Sequence, residues 1–227
     1  GPMQPTRALR VLLIANTLPP HDLSGVGEQV LQLAAGLRAR GHEVEVLGRG
    51  GRDSDAARGP KVFFPLTIVR PALRRIAAFR PDVVQLHESD GGLLALCITR
   101  LARLRVRPLL VALLQVSYAE ERRAVRPLRH GGEVLGEPGV VERRFRRFKA
   151  PLQIFLGRRT ARAADLVLAP SATTAAELAR DYGARNTAVL PNASGGLVAR
   201  PEAVAEVEEA GVPEGVVDVI PVDLVVG

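Results

Sequence analysis

The sequence predicts an α/β fold: a Rossmann-like parallel sheet with helices on both faces. Two observations predict it. Short apolar runs alternate with stretches of helical period along most of the chain. The first run, Arg10 to Asn16, is continuous rather than alternating, as in a strand buried on both faces.

Arg10 to Asn16 (RVLLIAN) opens the pattern as the first strand. Val26, Val30, Leu33 and Leu37 follow at helical spacing on one face. Gly41 is placed to end that helix in the left-handed conformation. Glu43 to Leu47 is the second strand. Val62 to Leu66 reads as a strand, and Pro71 opens a helix carrying Leu73, Ile76 and Ala77. Asp82 to Leu86 is a strand, Gly91 to Leu104 a helix, and Pro108 to Leu114 the next strand. Gln115 to Val140 holds six glycines and prolines without a period, and reads as a long, mobile loop. Glu142 to Ala164 is a long basic helix, broken at Pro151. Leu166 to Ala169 is a strand, Ser171 caps a helix that ends near Gly183, and Thr187 to Leu190 is the last strand before Pro191.

Composition narrows the classes. The chain has 227 residues, 47% hydrophobic, enough for a sizeable core. Gly1-Pro2, ahead of Met3, reads as a cleavage scar and is set aside. The single cysteine, Cys97, has no partner for a disulfide. No apolar stretch approaches the ~18 residues of a spanning helix, so a cytoplasmic protein is expected. The net charge of +7 permits anionic partners without choosing among them. Nucleic acid is disfavoured, because aromatic stacking residues and a known motif are lacking near the arginines.

In a parallel sheet, ligands bind at the carboxyl ends of the strands. After the first strand comes a wide loop with Gly25 and Gly27. It is not a dinucleotide turn, since Val30 stands where the third glycine belongs. No G-K-S/T occurs, so a Walker loop is excluded. What remains is either a wide loop whose backbone N–H groups face an anion at a helix N-terminus, or close helix-sheet packing at two glycines.

The glycine pair before V-x-x-x-V-L-x-L-A-x-x-L, followed by Ala39-Arg40-Gly41-His42-Glu43-Val44, resembles the N-terminal domain of retaining family-4 glycosyltransferases. Two further stretches match that family in order. Arg80 to Ser89 (RPDVVQLHES) is similar to P-D-V-V-x-x-H, and Ala164 to Gly195 to A-D-x-V followed by V-x-P-N-G. The resemblance implies the GT-B architecture, two Rossmann-like domains with the active site in the cleft between them. It implies a nucleotide-diphosphate sugar as donor, an acceptor hydroxyl, retention, and neither a cofactor nor a required metal. The four histidines show no metal spacing either.

On this resemblance, Ser24, Gly25 and Gly27 face the donor phosphate. His87 and Gln115 are the candidate catalytic residues. His21, Glu88, Ser117 and Tyr118 are candidates for binding the acceptor, and Pro191 and Asn192 form the hinge. Each has a plainer reading: a structural histidine at His87, a helix-capping acid at Glu88, exposed polarity at His21, and a locally bonded turn at Asn192. The sequence also departs from the family pattern. Ser24, Gly27 and Ala193 replace usual residues, and Gln115 stands where the family has a histidine. A glutamine hydrogen-bonds but carries no proton at neutral pH.

The expected domains are 3–195, an acceptor-side Rossmann-like unit, and 196–227, a linker helix and the first strand of a cut second domain. The fragment alone is expected to be inactive. The rival reading is a free-standing Rossmann-type binding or regulatory module. Arg143, Arg144, Arg146, Arg147 and Lys149, beside Phe145, Phe148, Leu152, Phe155 and Leu156, suggest contact with an anionic membrane at its inner face. The apolar segment 216–227 is expected to pair as a strand, and to take part in any dimer.

Overall fold

The computed structural model describes residues 8–16, 25–49, 59, 61–88, 91–101, 108–114, 117, 119–120, 123, 128–130, 133–136, 139 and 143–189. The strands, numbered along the chain, are β1 (Arg10–Ala15), β2 (Glu43–Gly48), β3 (Val83–His87), β4 (Leu109–Leu113), β5 (Leu128–His130), β6 (Glu133–Gly136), β7 (Leu166–Ala169) and β8 (Thr187–Val189). Six of them form one sheet in the order β2-β1-β3-β4-β7-β8, with every pairing parallel. The helices are α1 (Gly25–Ala39), α2 (Phe64–Thr67), α3 (Val69–Phe79), α4 (Gly92–Leu101), α5 (Ala150–Ala163) and α6 (Ala172–Tyr182). The Rossmann-like α/β class expected from the sequence is the class observed.

Period-two alternation divides the core. Val11, Leu13 and Ala15 of β1 face Val30, Leu33, Ala34 and Leu37 of α1. Leu12 and Ile14 face the other way, onto Phe64, Ile68, Leu94 and Ile98 of the α2–α4 layer. Strands buried on both faces therefore need apolar residues at every position, which is why they read as unbroken runs. Each such side chain contributes roughly 1.5–3 kcal/mol on burial.

The amino edge of the sheet is tied by carboxylates. Asp82 Oδ2 accepts the Arg10 N–H (2.9 Å), and Asp165 Oδ2 accepts the Leu110 N–H (2.8 Å). Each aspartate precedes its own strand and satisfies a donor at the start of the neighbouring one. Gly41, at φ +89°, ends α1: its N–H reaches Arg38 O and the next N–H, of His42, reaches Leu37 O. Ser171 caps α6 by accepting the Thr174 N–H at 3.1 Å.

Three elements differ from expectation. Val62 to Leu66 is not a strand; a 3-10 turn (Lys61–Phe63) runs into α2. Pro65 lies in the first turn of α2, where its fixed φ suits a helix and its missing N–H costs nothing. Within Gln115 to Val140, β5 and β6 pair as antiparallel strands, His130 opposite Glu133. The basic helix does not break at Pro151. A π-helical turn, Phe145–Lys149, precedes α5, and Pro151 falls in the first turn of α5.

Candidate active site

The strand order reverses at β1, which has β2 on one side and β3 on the other. The crevice of such a sheet opens outside the carboxyl ends of these two strands. Asn16 follows β1 there and His87 closes β3; both are buried. Alternation along β3 turns Gln85 and His87 to the face that Val83 shares with α1. Helix α1 begins at Gly25, on the chain leaving the carboxyl end of β1, and Gly27 in its first turn is buried. The orphan N–H groups and the positive end of the α1 dipole are thus at the edge where His87 sits.

His87 is neutral. Burial pushes its imidazole down to about 4. Gln85 Nε2, buried two residues earlier, lies 3.3 Å from His87 Nε2. An amide N–H only donates, so the ring Nε2 accepts and the ring proton sits on Nδ1. Glu88 follows at φ +69°, a left-handed conformation uncommon outside glycine. Its N–H donates to Leu113 O at 2.8 Å, which turns the chain out of β3. At the end of β2, Arg49 Nε is buried without a hydrogen-bond partner among the described residues.

Ser117 is turned elsewhere. It is buried, and its hydroxyl donates to Asp181 Oδ2 (2.8 Å) in the last turn of α6. Asp181 also accepts from Arg123 and Arg180, and both arginines reach Glu120. Burial raises the Asp181 carboxyl, but the bonds from Arg180, Arg123 and Ser117 outweigh it and hold the group down to about 2. This network fixes the chain after β4 to α6.

Of the candidate residues, Gly25 and Gly27 lie in the first turn of α1, His87 is the last residue of β3, and Glu88 follows it. His21, Ser24, Gln115, Tyr118, Pro191, Asn192 and the 216–227 segment lie outside the described residues. Sequence reasoning missed Gln85 and Arg49. For Gln85 a signal was available: a lone amide inside an apolar strand, two residues before His87 and so on the same face. Among the described residues, no group of three His, Cys, Asp or Glu side chains is placed to hold a metal ion. None of their helices is long and apolar enough to cross a membrane.

Comparison with known proteins follows the same lines. The family model described as Glycosyltransferase Family 4 matches residues 23–193. Sucrose-phosphate synthase from Thermosynechococcus elongatus is similar in structure, with a TM-score of 0.61 at 15% identity, over 90% of this chain and 53% of that one. The catalytic domain of starch synthase IV from Arabidopsis thaliana, bound to ADP and acarbose, gives a TM-score of 0.50 at 13% identity, over 82% and 52%. The chain thus spans about half the length of these structures, and at such identities the likeness concerns the fold. No curated protein matches the sequence.

Proposed function

Because the chain belongs to glycosyltransferase family 4, we propose that it forms the acceptor-side half of an enzyme that moves a sugar from a nucleotide-diphosphate sugar to an acceptor hydroxyl with retention. What supports this reading is that β3 ends in the buried His87 and that α1, which follows β1, begins with Gly25 and Gly27. Backbone N–H groups at Gly25 and Gly27 steady the leaving diphosphate, whose charge grows as the sugar–phosphate bond breaks. A second domain supplies the donor pocket, and this half alone is inactive.

The state of His87 constrains the chemistry. With its imidazole at about 4, it is a poor proton carrier at neutral pH. Its part is to hydrogen-bond and orient a sugar or acceptor hydroxyl through Nδ1–H. The acceptor proton then goes to the departing phosphate oxygen, the base that the reaction itself creates. The bond from the anomeric carbon to the phosphate oxygen breaks and the bond to the acceptor oxygen forms, on the same face of the sugar. Glu88 and, after β4, Gln115 and Tyr118 complete the acceptor side, with Pro191 and Asn192 as the hinge.

The test uses the full-length gene product with a panel of nucleotide-diphosphate sugars and hydroxyl acceptors. Transfer is expected with at least one donor, and NMR of the product is expected to show the anomeric configuration of the donor. Inversion contradicts the retaining mechanism. Hydride transfer or simple ligand binding without turnover contradicts the enzyme class.

A further inference from the structure

We propose that the outer face of α5 and the turn before it dock onto an anionic lipid bilayer. The inner face of α5 is ordinary core: Ile154, Leu156, Thr160 and Ala161 are buried. Its outer face is exposed among the described residues. Phe148, Leu152 and Phe155 are 66%, 48% and 47% exposed. Their spacing of four and then three residues sets them in one stripe. A soluble helix ordinarily buries such a stripe and keeps charge outside.

The charge around it selects the partner. Residues 143–164 hold eight arginines and lysines and no carboxylate. The Arg147 guanidinium lies over the Phe148 ring at 5.4 Å, and that of Arg159 over the Phe155 ring at 5.3 Å. Arg144 and Lys149 are exposed beside them. Apolar residues in a narrow line, within a segment rich in cations, suit the boundary between acyl chains and anionic headgroups. Two copies of the chain stacked on this face would oppose like charges, which argues against self-association there.

The fold also orients the surface. A Cβ on Gly92 would meet Leu156 O at 2.6 Å, so α4 and α5 touch at the start of α4. Gly92 comes shortly after the carboxyl end of β3, so the stripe, which precedes Leu156, lies toward the carboxyl edge. Docking would bring the edge that holds His87 toward the bilayer. Binding itself does not rest on the transfer reaction, and its failure would leave that reading intact.

The test is co-sedimentation of the chain with vesicles of phosphatidylcholine and phosphatidylglycerol, against phosphatidylcholine alone, at low and high salt. Binding is expected only with the acidic lipid, weakening as salt rises. Phe148→Ser with Leu152→Ser and Phe155→Ser should lower the partition coefficient at least tenfold, as should Arg144→Gln with Arg147→Gln and Lys149→Gln. Thermal melts establish that each variant is folded, and the charge set tests the proposal even if the apolar set does not fold. Absence of binding to acidic vesicles at low salt overturns the proposal. So does binding unaltered in a folded set of variants, or a concentration-dependent dimer in place of vesicle binding.

Discussion

The Gln85 amide nitrogen lies 3.3 Å from His87 Nε2, and both side chains are buried on the α1 face of β3. The contact assigns the ring proton to Nδ1 and holds the imidazole in one orientation. Nitrogen-15 NMR of the histidine ring should report the Nδ1–H tautomer at neutral pH. Gln85→Glu would set a carboxylate against the same ring atom and favour the imidazolium. The His87 titration should then move up in that variant, and an unmoved titration would show that the two side chains do not interact.

His87 also gives stability a pH dependence. Its imidazole falls from 6.5 to about 4 on folding, through burial. The unfolded chain therefore binds this proton first as pH drops. The contribution is fully present above pH 6.5 and is lost as pH falls toward 4. The size is about 3 kcal/mol by the usual conversion of a pKa shift. In His87→Leu, denaturant unfolding should show a flatter stability curve over this window. Curves of equal slope for parent and variant would remove His87 as the source.

Asp181 is the shared acceptor of its network, and its side chain is 5% exposed against 44% for Arg123 and 59% for Arg180. Asp181→Ala leaves the buried Ser117 hydroxyl without that acceptor and should cost about 1–3 kcal/mol. Arg180→Ala removes an exposed partner and should cost about 0.2–1 kcal/mol. Urea midpoints of the two variants decide the order; a larger loss for Arg180→Ala would mean that the pairing at the surface carries the network.

Three glycines divide by what a methyl group would meet. At Gly157 it would lie 2.5 Å from the Tyr182 ring, and at Gly92 2.6 Å from Leu156 O. At Gly36, within α1, it would meet nothing within 4 Å. Gly157→Ala and Gly92→Ala should each destabilise by about 1–3 kcal/mol through overpacking. Gly92→Ala should be the worse of the two, since backbone cannot rotate away. Gly36→Ala should stabilise by about 0.5–1 kcal/mol. Thermal midpoints of the three variants check the signs.

Much of this fold was legible because the inner strands of the sheet are buried on both faces, which leaves an unbroken apolar run such as Val11 to Ala15. Caps at Gly41 and Ser171 were legible because they follow from backbone conformation and a short side-chain bond. The turn at Lys61–Phe63 and α2 was not, because a five-residue apolar run fits a strand or a helix equally and tertiary contacts of Phe64 and Ile68 decide it. At the site, position at the end of a strand together with the family resemblance made His87 and Glu88 candidates. It gave no means to see that the Ser117 hydroxyl reaches Asp181, 64 residues away. The aspartates of the P-D-V-V and A-D-L-V motifs, Asp82 and Asp165, belong to the amino edge and hold strands together, away from the crevice.

The central claim is that sugar transfer takes place at the carboxyl edge, beside His87. The most direct measurement is the transfer rate of the full-length enzyme carrying His87→Ala, corrected for the folded fraction. The account predicts a fall of about tenfold or more, the cost of about 1.4 kcal/mol or more of lost transition-state stabilisation. A rate equal to that of the parent enzyme would contradict it.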